Sequence, residues 1–394
     1  MSQHVMNTYG RLPVTFTRGQ GVWLWDDHGE KYLDALAGIA VTGLGHSHPE
    51  FVKAISAQAS TLMHVSNVYQ IAEQAQLADK IAAISGMDNV FFCNSGCEAN
   101  EAQIKLARLY AHNKGITNPE IIVMDKSFHG RTLATLSATG SRKVQAGFEP
   151  LVSGFVRVPF DDIEAVKQVA ARKNNVVAIL VEPVQGEGGI HIPADMKAYF
   201  EALRQICDDN DWLLMLDEVQ SGIGRTGTWF AFQHTGVMPD VMSLAKGLGS
   251  GVPIGACVAK GKAAEVFTPG KHGSTFGGNP FAMSAGLATL AIIEQEKLRE
   301  NAEAMGDFIH QQFAEAFKDN AAIVNIRHAG LMIGIELDRP CAELVKIALA
   351  KKLLINVTAD KVIRLLPALI ITQEEAQELV NRLVSVVDHF LKAA

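Results

Sequence analysis

Between residues 88 and 260 the sequence alternates short apolar runs with helical patterns and glycine-rich turns. Strands buried on both faces read as short, continuous apolar runs, whereas buried helices are longer. Alternation of such strands with helices predicts an α/β fold with a mainly parallel central sheet covered by helices. The predicted strands are Asn89–Cys93, Ile121–Met124, Val176–Val181, Leu213–Leu216, Val241–Leu244 and Ile254–Ala259.

The sequence pattern changes beyond residue 280. Long amphipathic helices are predicted first, followed by the segment Ile333–Leu337, an apolar run around Ile363–Ile370 and a last helix from Gln373. A chain of 394 residues exceeds the size of most single cores, so we expect a second, smaller unit. Near the start, residues 22–25 and 32–33 predict a hairpin that joins it. We therefore predict an N-terminal segment 1–45 that belongs to a small α+β domain, a large domain 46–280 and the C-terminal part of the small domain, 281–394.

The net charge, the length of the apolar runs and the cysteines indicate which classes of protein this sequence can belong to. The formal net charge of −7 disfavours binding to a nucleic-acid backbone. No apolar run reaches the ~18–20 residues of a membrane span, and the first residues, Met1 to His4, lack a basic segment leading into an apolar one. We therefore expect a cytoplasmic protein with no membrane partner. Five scattered cysteines predict reduced side chains rather than a disulfide framework.

Two charged residues follow predicted strands at the edge where open α/β sheets bind ligands. Asp217 ends an apolar run, and Lys246 follows another, 29 positions later (246 − 217). A lysine held in an apolar place loses its proton readily, and a neutral amine can form a Schiff base. A carboxylate facing a pyridine nitrogen keeps that nitrogen protonated. Each residue alone has a plainer explanation, since Asp217 could cap a loop and Lys246 could be a solvated turn lysine.

The segment Asn94-Ser95-Gly96-Cys97 lies between a predicted strand and a predicted helix. Backbone N–H groups at such a helix start can bind phosphate. Simple capping of the helix by Ser95 or Asn94 is compatible with that role. Cys93 and Cys97 could suggest zinc, but no second cysteine pair completes a tetrahedral site, so we predict no metal.

Six segments in order resemble the signature of the class III aminotransferases, and the resemblance covers the whole chain. They are NSG at 94–96, FHGRT at 128–132, EPVQGEGG at 182–189, DEVQ at 217–220, SLAKG at 243–247 and STFGGNP at 274–280. The resemblance implies a fold type I transferase dependent on pyridoxal 5'-phosphate (PLP). It also implies Lys246 and Asp217 as the catalytic residues and a homodimer with shared active sites.

The same resemblance assigns roles around the cofactor. Ser95, Gly96 and Cys97 would bind its phosphate, and Phe128 would stack on its ring. Val219 would line the ring, and Gln220 would reach the ring hydroxyl. Thr275 would contact the phosphate in the neighbouring subunit. Cys97 departs from the pattern, because relatives commonly carry another small residue such as Ala or Thr there. A backbone contact should survive this change, whereas a contact through a side-chain hydroxyl would be lost.

Substrate carboxylates need cations, preferably arginines, whose planar fork makes two hydrogen bonds. Arg131 and Arg364 are the candidates, although surface arginines along a sheet edge would look similar. By resemblance, Glu187 neutralises Arg364 in one half-reaction, and Ser274 assists at the acyl end of the substrate. The expected substrates are N2-acetyl-L-ornithine and 2-oxoglutarate, in arginine biosynthesis. Succinylornithine, ornithine, 4-aminobutyrate and succinyldiaminopimelate precursors remain open.

Other functions fit the sequence less well. The segment GIGRTG at 222–227 matches a dinucleotide-binding fingerprint, but Asp217 and Glu218 stand between the strand and its glycines. A scaffold with a degenerate site would be expected to lose Lys246. His46 and His48 could bind metal, and His129 could act as a base. Loop ordering is the simpler explanation for His46, Ser47 and His48 in their short turn, and a plain structural role is preferred for His129.

Overall fold

The computed structural model describes residues 4–393 of the chain. Its strands in chain order are β1 (Phe16–Gln20), β2 (Trp23–Asp26), β3 (Lys31–Asp34), β4 (Asn89–Cys93), β5 (Glu120–Met124), β6 (Phe155–Val158), β7 (Val176–Val181), β8 (Leu213–Asp217), β9 (Val241–Leu244), β10 (Gly255–Ala259), β11 (Ile323–Ala329), β12 (Met332–Leu337), β13 (Leu353–Leu354), β14 (Asn356–Thr358) and β15 (Val362–Leu365).

The α-helices are α1 (Ala37–Ala40), α2 (Pro49–Ala59), α3 (Ala72–Ser85), α4 (Gly96–Asn113), α5 (Leu133–Ala138), α6 (Arg142–Gln145), α7 (Ile163–Arg172), α8 (Met196–Asn210), α9 (Pro280–Gln295), α10 (Leu298–Ala316), α11 (Leu344–Ala350) and α12 (Gln373–Ala393). Three short 3₁₀ helices span Ala231–His234, Lys246–Gly249 and Gly261–Ala263. Among the residues that the structure describes, no helix is both long and apolar enough to cross a bilayer.

The central sheet has seven strands in the order β4-β10-β9-β8-β7-β5-β6. Strands β9, β8, β7, β5 and β6 are parallel neighbours, and β10 pairs antiparallel with both β9 and β4. All residues of β7, β8 and β9 are buried, as expected for strands covered by helices on both faces. The predicted α/β fold with a mainly parallel sheet is therefore confirmed.

Two four-stranded sheets flank this core, in the orders β1-β2-β3-β13 and β11-β12-β15-β14. The first joins the beginning of the chain to its end, because β3 pairs parallel with β13 through Leu33 and Leu353. The predicted hairpin is present as the antiparallel pair of β2 and β3. In the second sheet, β15 carries Arg364 in register with Gly334 of β12.

The direction of the strands places the polar residues. Because β5, β7, β8 and β9 are parallel, the segments that follow them meet at one edge of the sheet. Strand β4 delivers its own following segment, Asn94–Cys97, to the same edge, since it lies antiparallel to β10. Asp217, Lys246 and the start of α4 therefore approach one another.

Candidate active site

A cavity of about 410 Å³ lies at this carboxyl edge of the central sheet. That volume is in the usual range of small-molecule sites. Ten of the thirteen predicted site residues line it: Ser95, Gly96, Cys97, Phe128, Arg131, Glu187, Asp217, Val219, Gln220 and Lys246. The other three, Arg364, Ser274 and Thr275, lie outside its lining. The structure thus brings most of the predicted site together from segments far apart in the chain.

Lys246 begins a 3₁₀ turn directly after β9 and has a φ of +43°, a conformation that costs energy for a non-glycine residue. Burial, and after it the Arg364 cation, lower the pKa of its amine from 10.5 to about 8, against the raising effect of Glu187, Asp217 and Glu182. A strained backbone and a depressed pKa are typical of functional positions. The amine is therefore ready to react near neutral pH.

Asp217 is buried and every hydrogen bond that it accepts is short. Its Oδ1 accepts from the backbone N–H of Val219 at 3.0 Å. Its Oδ2 lies 2.8 Å from Nδ2 of Asn100 and 2.8 Å from Nδ1 of His129. Three donors around one carboxylate stabilise its ionised form. An anion is thus held at the floor of the cavity.

Helix α4 begins at the cavity with Ser95 as its N-cap, whose side chain accepts from Glu98 N at 3.2 Å. The N–H groups of the first turn have no partner within a helix and point out of its end. Glycine is required at position 96, because a Cβ there would lie 2.7 Å from a side-chain carbon of Val219. The helix start therefore offers an uncrowded set of backbone donors.

Arg131 is exposed, and its guanidinium carbon lies 5.7 Å from the centre of the Phe128 ring. The sulfur of Cys97 accepts hydrogen bonds from the backbone N–H groups of Arg131 and Thr132, both at 3.3 Å. A side chain at position 97 thus holds the segment that carries Arg131. The sequence did not indicate this contact.

Arg364 is fully buried behind the cavity, with none of its side-chain surface exposed. Its Nη1 lies 2.7 Å from Oε1 of Glu187 and 3.4 Å from Oε1 of Gln220, and its Nε donates to Asn356. Its Nη2 has no hydrogen-bond partner among the described residues. A buried donor without a partner is costly, so this guanidinium retains capacity for an anion.

Ser274 and Thr275 lie in an exposed segment beside the cavity. Oγ of Ser274 accepts from Nδ2 of Asn94 at 3.3 Å and from the backbone N–H of Gly277 at 2.9 Å. Thr275 is exposed, as is the neighbouring Phe276 at 63 %. Thr275 does not reach the cavity of its own chain.

Glu182 is a site residue to which the sequence assigned no role. It directly follows β7, whereas Asp217 is the last residue of β8, so its place at the end of an apolar run could have indicated it. Its carboxylate accepts from the N–H of Phe128 at 2.8 Å and of Gly186 at 3.1 Å. Burial raises the pKa of Glu182 to about 7, an effect that His129 opposes and Asp217 reinforces. It connects the segment of Phe128 to that of Glu187.

Known proteins with similar sequences identify the family of this chain. Residues 5–387 match the family described as aminotransferase class-III. The chain belongs to this family. A member from Nitrosomonas europaea, named acetylornithine aminotransferase, is 62% identical over 390 residues, 99% of each chain. Another of that name from Methanocaldococcus jannaschii is 49% identical and covers 96% of this chain and 94% of its own.

Solved structures of aminotransferases have the same fold. A crystal structure of the ornithine aminotransferase from Toxoplasma gondii superposes with a TM-score of 0.95 at 31% identity and covers 100% of this chain and 94% of that one. The acetylornithine aminotransferase from Elizabethkingia anophelis gives a TM-score of 0.87 at 34% identity and covers 98% and 96%. The prediction of a fold type I, PLP-dependent transaminase is confirmed.

The cavity fits the PLP that class-III aminotransferases use. PLP needs an amine for its aldehyde, an anion beside its ring nitrogen and donors for its phosphate. Lys246, Asp217 and the start of α4 offer these three groups around one space. Gly186 leaves room beside them, because a Cβ there would lie 2.2 Å from Oε1 of Gln220. In this class-III aminotransferase the residues present therefore suit the cofactor.

Proposed function

We propose that this aminotransferase moves the terminal (δ) amino group of N2-acetyl-L-ornithine to 2-oxoglutarate. The products are N-acetyl-L-glutamate 5-semialdehyde and L-glutamate, and the pathway is arginine biosynthesis. The names of the relatives at 49% and 62% identity support this substrate over ornithine, the substrate named for the Toxoplasma structure at 31% identity. The observation that carries the proposal is the pair of unlike arginines beside Lys246.

The two arginines differ in accessibility and charge balance. Arg131 is exposed and has no carboxylate partner within residues 4–393, so it is available to a substrate carboxylate. Arg364 is buried and paired with Glu187 at 2.7 Å. Some amine donors have no carboxylate at the end that carries the reacting amine. That end of the donor meets Arg364 and Glu187 as an ion pair with no net charge. When Glu187 turns away, Arg364 can bind the α-carboxylate of 2-oxoglutarate or glutamate through two hydrogen bonds.

Lys246 and the residues around it have different roles in the reaction. PLP supplies, when bound, an aldehyde that condenses with amines and a ring that accepts electrons from the substrate carbon. Lys246 holds the cofactor at rest. When its amine is free, Nζ of Lys246 would take a proton from the substrate carbon and later give it back, as base and then acid. Asp217 keeps a proton on the ring nitrogen throughout.

The remaining site residues bind and orient. Ser95, Gly96 and Cys97 hold the phosphate at the start of α4, and Phe128 covers one face of the ring. Val219 lines the ring beside Gly96, and Gln220 reaches the ring hydroxyl. Ser274 assists at the acyl end of the substrate, close to Asn94. No metal is required by these roles.

The protein is further proposed to act as a homodimer in the cytoplasm, with Thr275 binding the phosphate in the neighbouring subunit. The exposure of Thr275 and Phe276 beside the cavity supports an interface there. We also propose the domain limits 46–280 for the large domain, with 1–45 and 281–394 forming the small one. Residues 1–3 and 394 of these ranges lie outside the described residues.

A substrate panel tests the function. Purified protein with bound PLP is mixed, without any oxo acid, with acetylornithine, succinylornithine, ornithine, 4-aminobutyrate or succinyldiaminopimelate, and the loss of the visible absorbance of the lysine-bound cofactor is followed. Acetylornithine should give the highest value of the rate of absorbance loss divided by the concentration of the amine. A higher value for ornithine or 4-aminobutyrate would overturn the substrate assignment. The Lys246→Ala variant is the control and should give no turnover.

A further inference from the structure

Asn100 stands at the centre of a buried polar network beneath the cavity. It lies on α4, four residues after Gly96, so the two positions share one face of the helix. Its Nδ2 donates to Oδ2 of Asp217 and to the backbone carbonyl of His129, both at 2.8 Å. One helix therefore presents its first turn to the cavity and, one turn later, an amide to Asp217.

The oxygen of the Asn100 amide is occupied by two donors. Oδ1 accepts from Nε2 of Gln103 at 2.8 Å and from Oγ of Ser243 at 2.7 Å. These side chains are all buried, with Asn100 only 1% exposed. Ser243 belongs to β9, three residues before Lys246. Helix α4 is thus connected to both strands that carry the reactive residues.

This pattern fixes which way the amide points. A flipped Asn100 would place its oxygen against the carboxylate of Asp217 and its NH₂ against the donors from Gln103 and Ser243. Buried polar groups without partners are costly, so the flipped arrangement is strongly disfavoured. Asp217 therefore always meets an N–H donor from Asn100.

We infer that Asn100 is a positioning residue for the reaction, which holds the carboxylate of Asp217 toward the cofactor ring through an amide locked by Gln103 and Ser243. The inference rests on the role proposed above for Asp217. A donor to a carboxylate stabilises its charged form, and hydrogen bonds to charged groups are stronger than neutral ones. Loss of the donor weakens the hold of Asp217 on the protonated ring nitrogen.

Two substitutions at position 100 separate hydrogen bonding from packing. Asn100→Leu keeps a similar size but has no donor, so we expect the dissociation constant of PLP from the apoenzyme to rise about 10-fold at every pH. Asn100→Asp keeps the shape and can donate to Asp217 only while one of the two carboxyl groups holds a proton. It should bind PLP more tightly than Asn100→Leu at about pH 6, where that proton is retained.

The measurement is a PLP titration of each apoenzyme over a pH series, monitored by fluorescence. Equal affinity of Asn100→Asp and Asn100→Leu at every pH would overturn the inference, because packing alone would then explain the loss. Unchanged affinity in Asn100→Leu would also overturn it. The Ser243→Ala variant removes one donor to the Asn100 amide but leaves Asn100 in place. It should also weaken PLP binding, by a smaller factor than Asn100→Leu.

Thr289→Val provides the matched control. Thr289 is buried on α9 and does not line the cavity, and its hydroxyl donates to Ala285 O at 2.9 Å. Its loss should leave PLP affinity unchanged, and an equal weakening would count against Asn100. Asp217→Ala is titrated in parallel. If that variant binds PLP normally, the role proposed for Asp217 is wrong; if it binds weakly while Asn100→Leu does not, only this inference fails.

Discussion

Nδ1 of His129 lies 2.8 Å from Oδ2 of Asp217, and both side chains are buried. An ionised carboxylate only accepts hydrogen bonds, so we assign the proton to Nδ1. Nε2 of the same ring has no partner among the described residues. Nδ1 of His129 therefore donates a hydrogen bond to the Asp217 carboxylate.

This relationship leads to a prediction for Asp217→Asn. The amide has the size of the carboxylate but no charge, so the protonated ring nitrogen loses its counter-ion. We expect the rate of amino transfer to fall about 100-fold or more, as for the loss of other electrostatic stabilisers in active sites. Single-turnover rates with acetylornithine measure it. A rate within a few-fold of the unsubstituted protein would contradict the role of Asp217.

The pair of Arg364 and Glu187 predicts a change in substrate preference. Glu187→Gln removes the anion that neutralises Arg364, so the guanidinium becomes free to bind an α-carboxylate. We expect kcat/KM for glutamate relative to that for acetylornithine to rise about 10-fold. Half-reaction rates with each amine measure this ratio. Arg364→Met is the opposing control, since it should lower the ratio, and a ratio unchanged in both variants would show that the pair does not select substrates.

The strands could be predicted from the sequence because they are buried on both faces. Each predicted strand of the central sheet lies within one residue of its observed bounds, as with β8 at Leu213–Asp217. Strand β6 was missed, because Arg157 interrupts a run of only four residues that is partly exposed. The antiparallel direction of β10 was not predicted either, since apolarity carries no information about strand direction.

Site residues could be predicted where a polar group directly follows a strand, as Asp217 and Lys246 do. Asn100 could not, because it lies inside a helix and meets Asp217 across 117 positions of sequence. The contact of Cys97 with the Arg131 segment is also long-range. Sequence motifs carried the role of Arg364, but its complete burial and its partner distance needed the tertiary structure. The role of Thr275 stays a prediction, since it concerns a second chain.

We predict that substitution of Cys97 affects the binding of the substrate rather than the binding of the cofactor. Its sulfur accepts from the N–H groups of Arg131 and Thr132, so Cys97→Ala leaves two backbone donors without that acceptor. We expect KM for the carboxylate substrates to rise about 5-fold as Arg131 becomes less well positioned, since a neutral hydrogen bond contributes about 1 kcal/mol. Cys97→Ser keeps an acceptor and should stay close to the unsubstituted protein. Steady-state kinetics decide, and a loss of PLP affinity with unchanged KM would contradict this explanation.

The depressed pKa of Lys246 predicts how PLP uptake depends on pH. Only the neutral amine attacks an aldehyde, and with a pKa of about 8 its neutral fraction rises through that pH and then levels off. The uptake rate of the apoenzyme should therefore rise between about pH 7 and pH 9 and reach a plateau, whereas an ordinary lysine would still be rising steeply there. Stopped-flow absorbance measures the rate. The same measurement with Nα-acetyl-lysine, whose side-chain amine is free, corrects for the titration of PLP itself.

The Arg364 cation lowers the pKa of Lys246, so Arg364→Met should move the midpoint of the pH profile to higher pH. A midpoint that stays in place in that variant, or a rate that climbs without levelling off in the unsubstituted protein, would show that the environment of the amine is not what activates it.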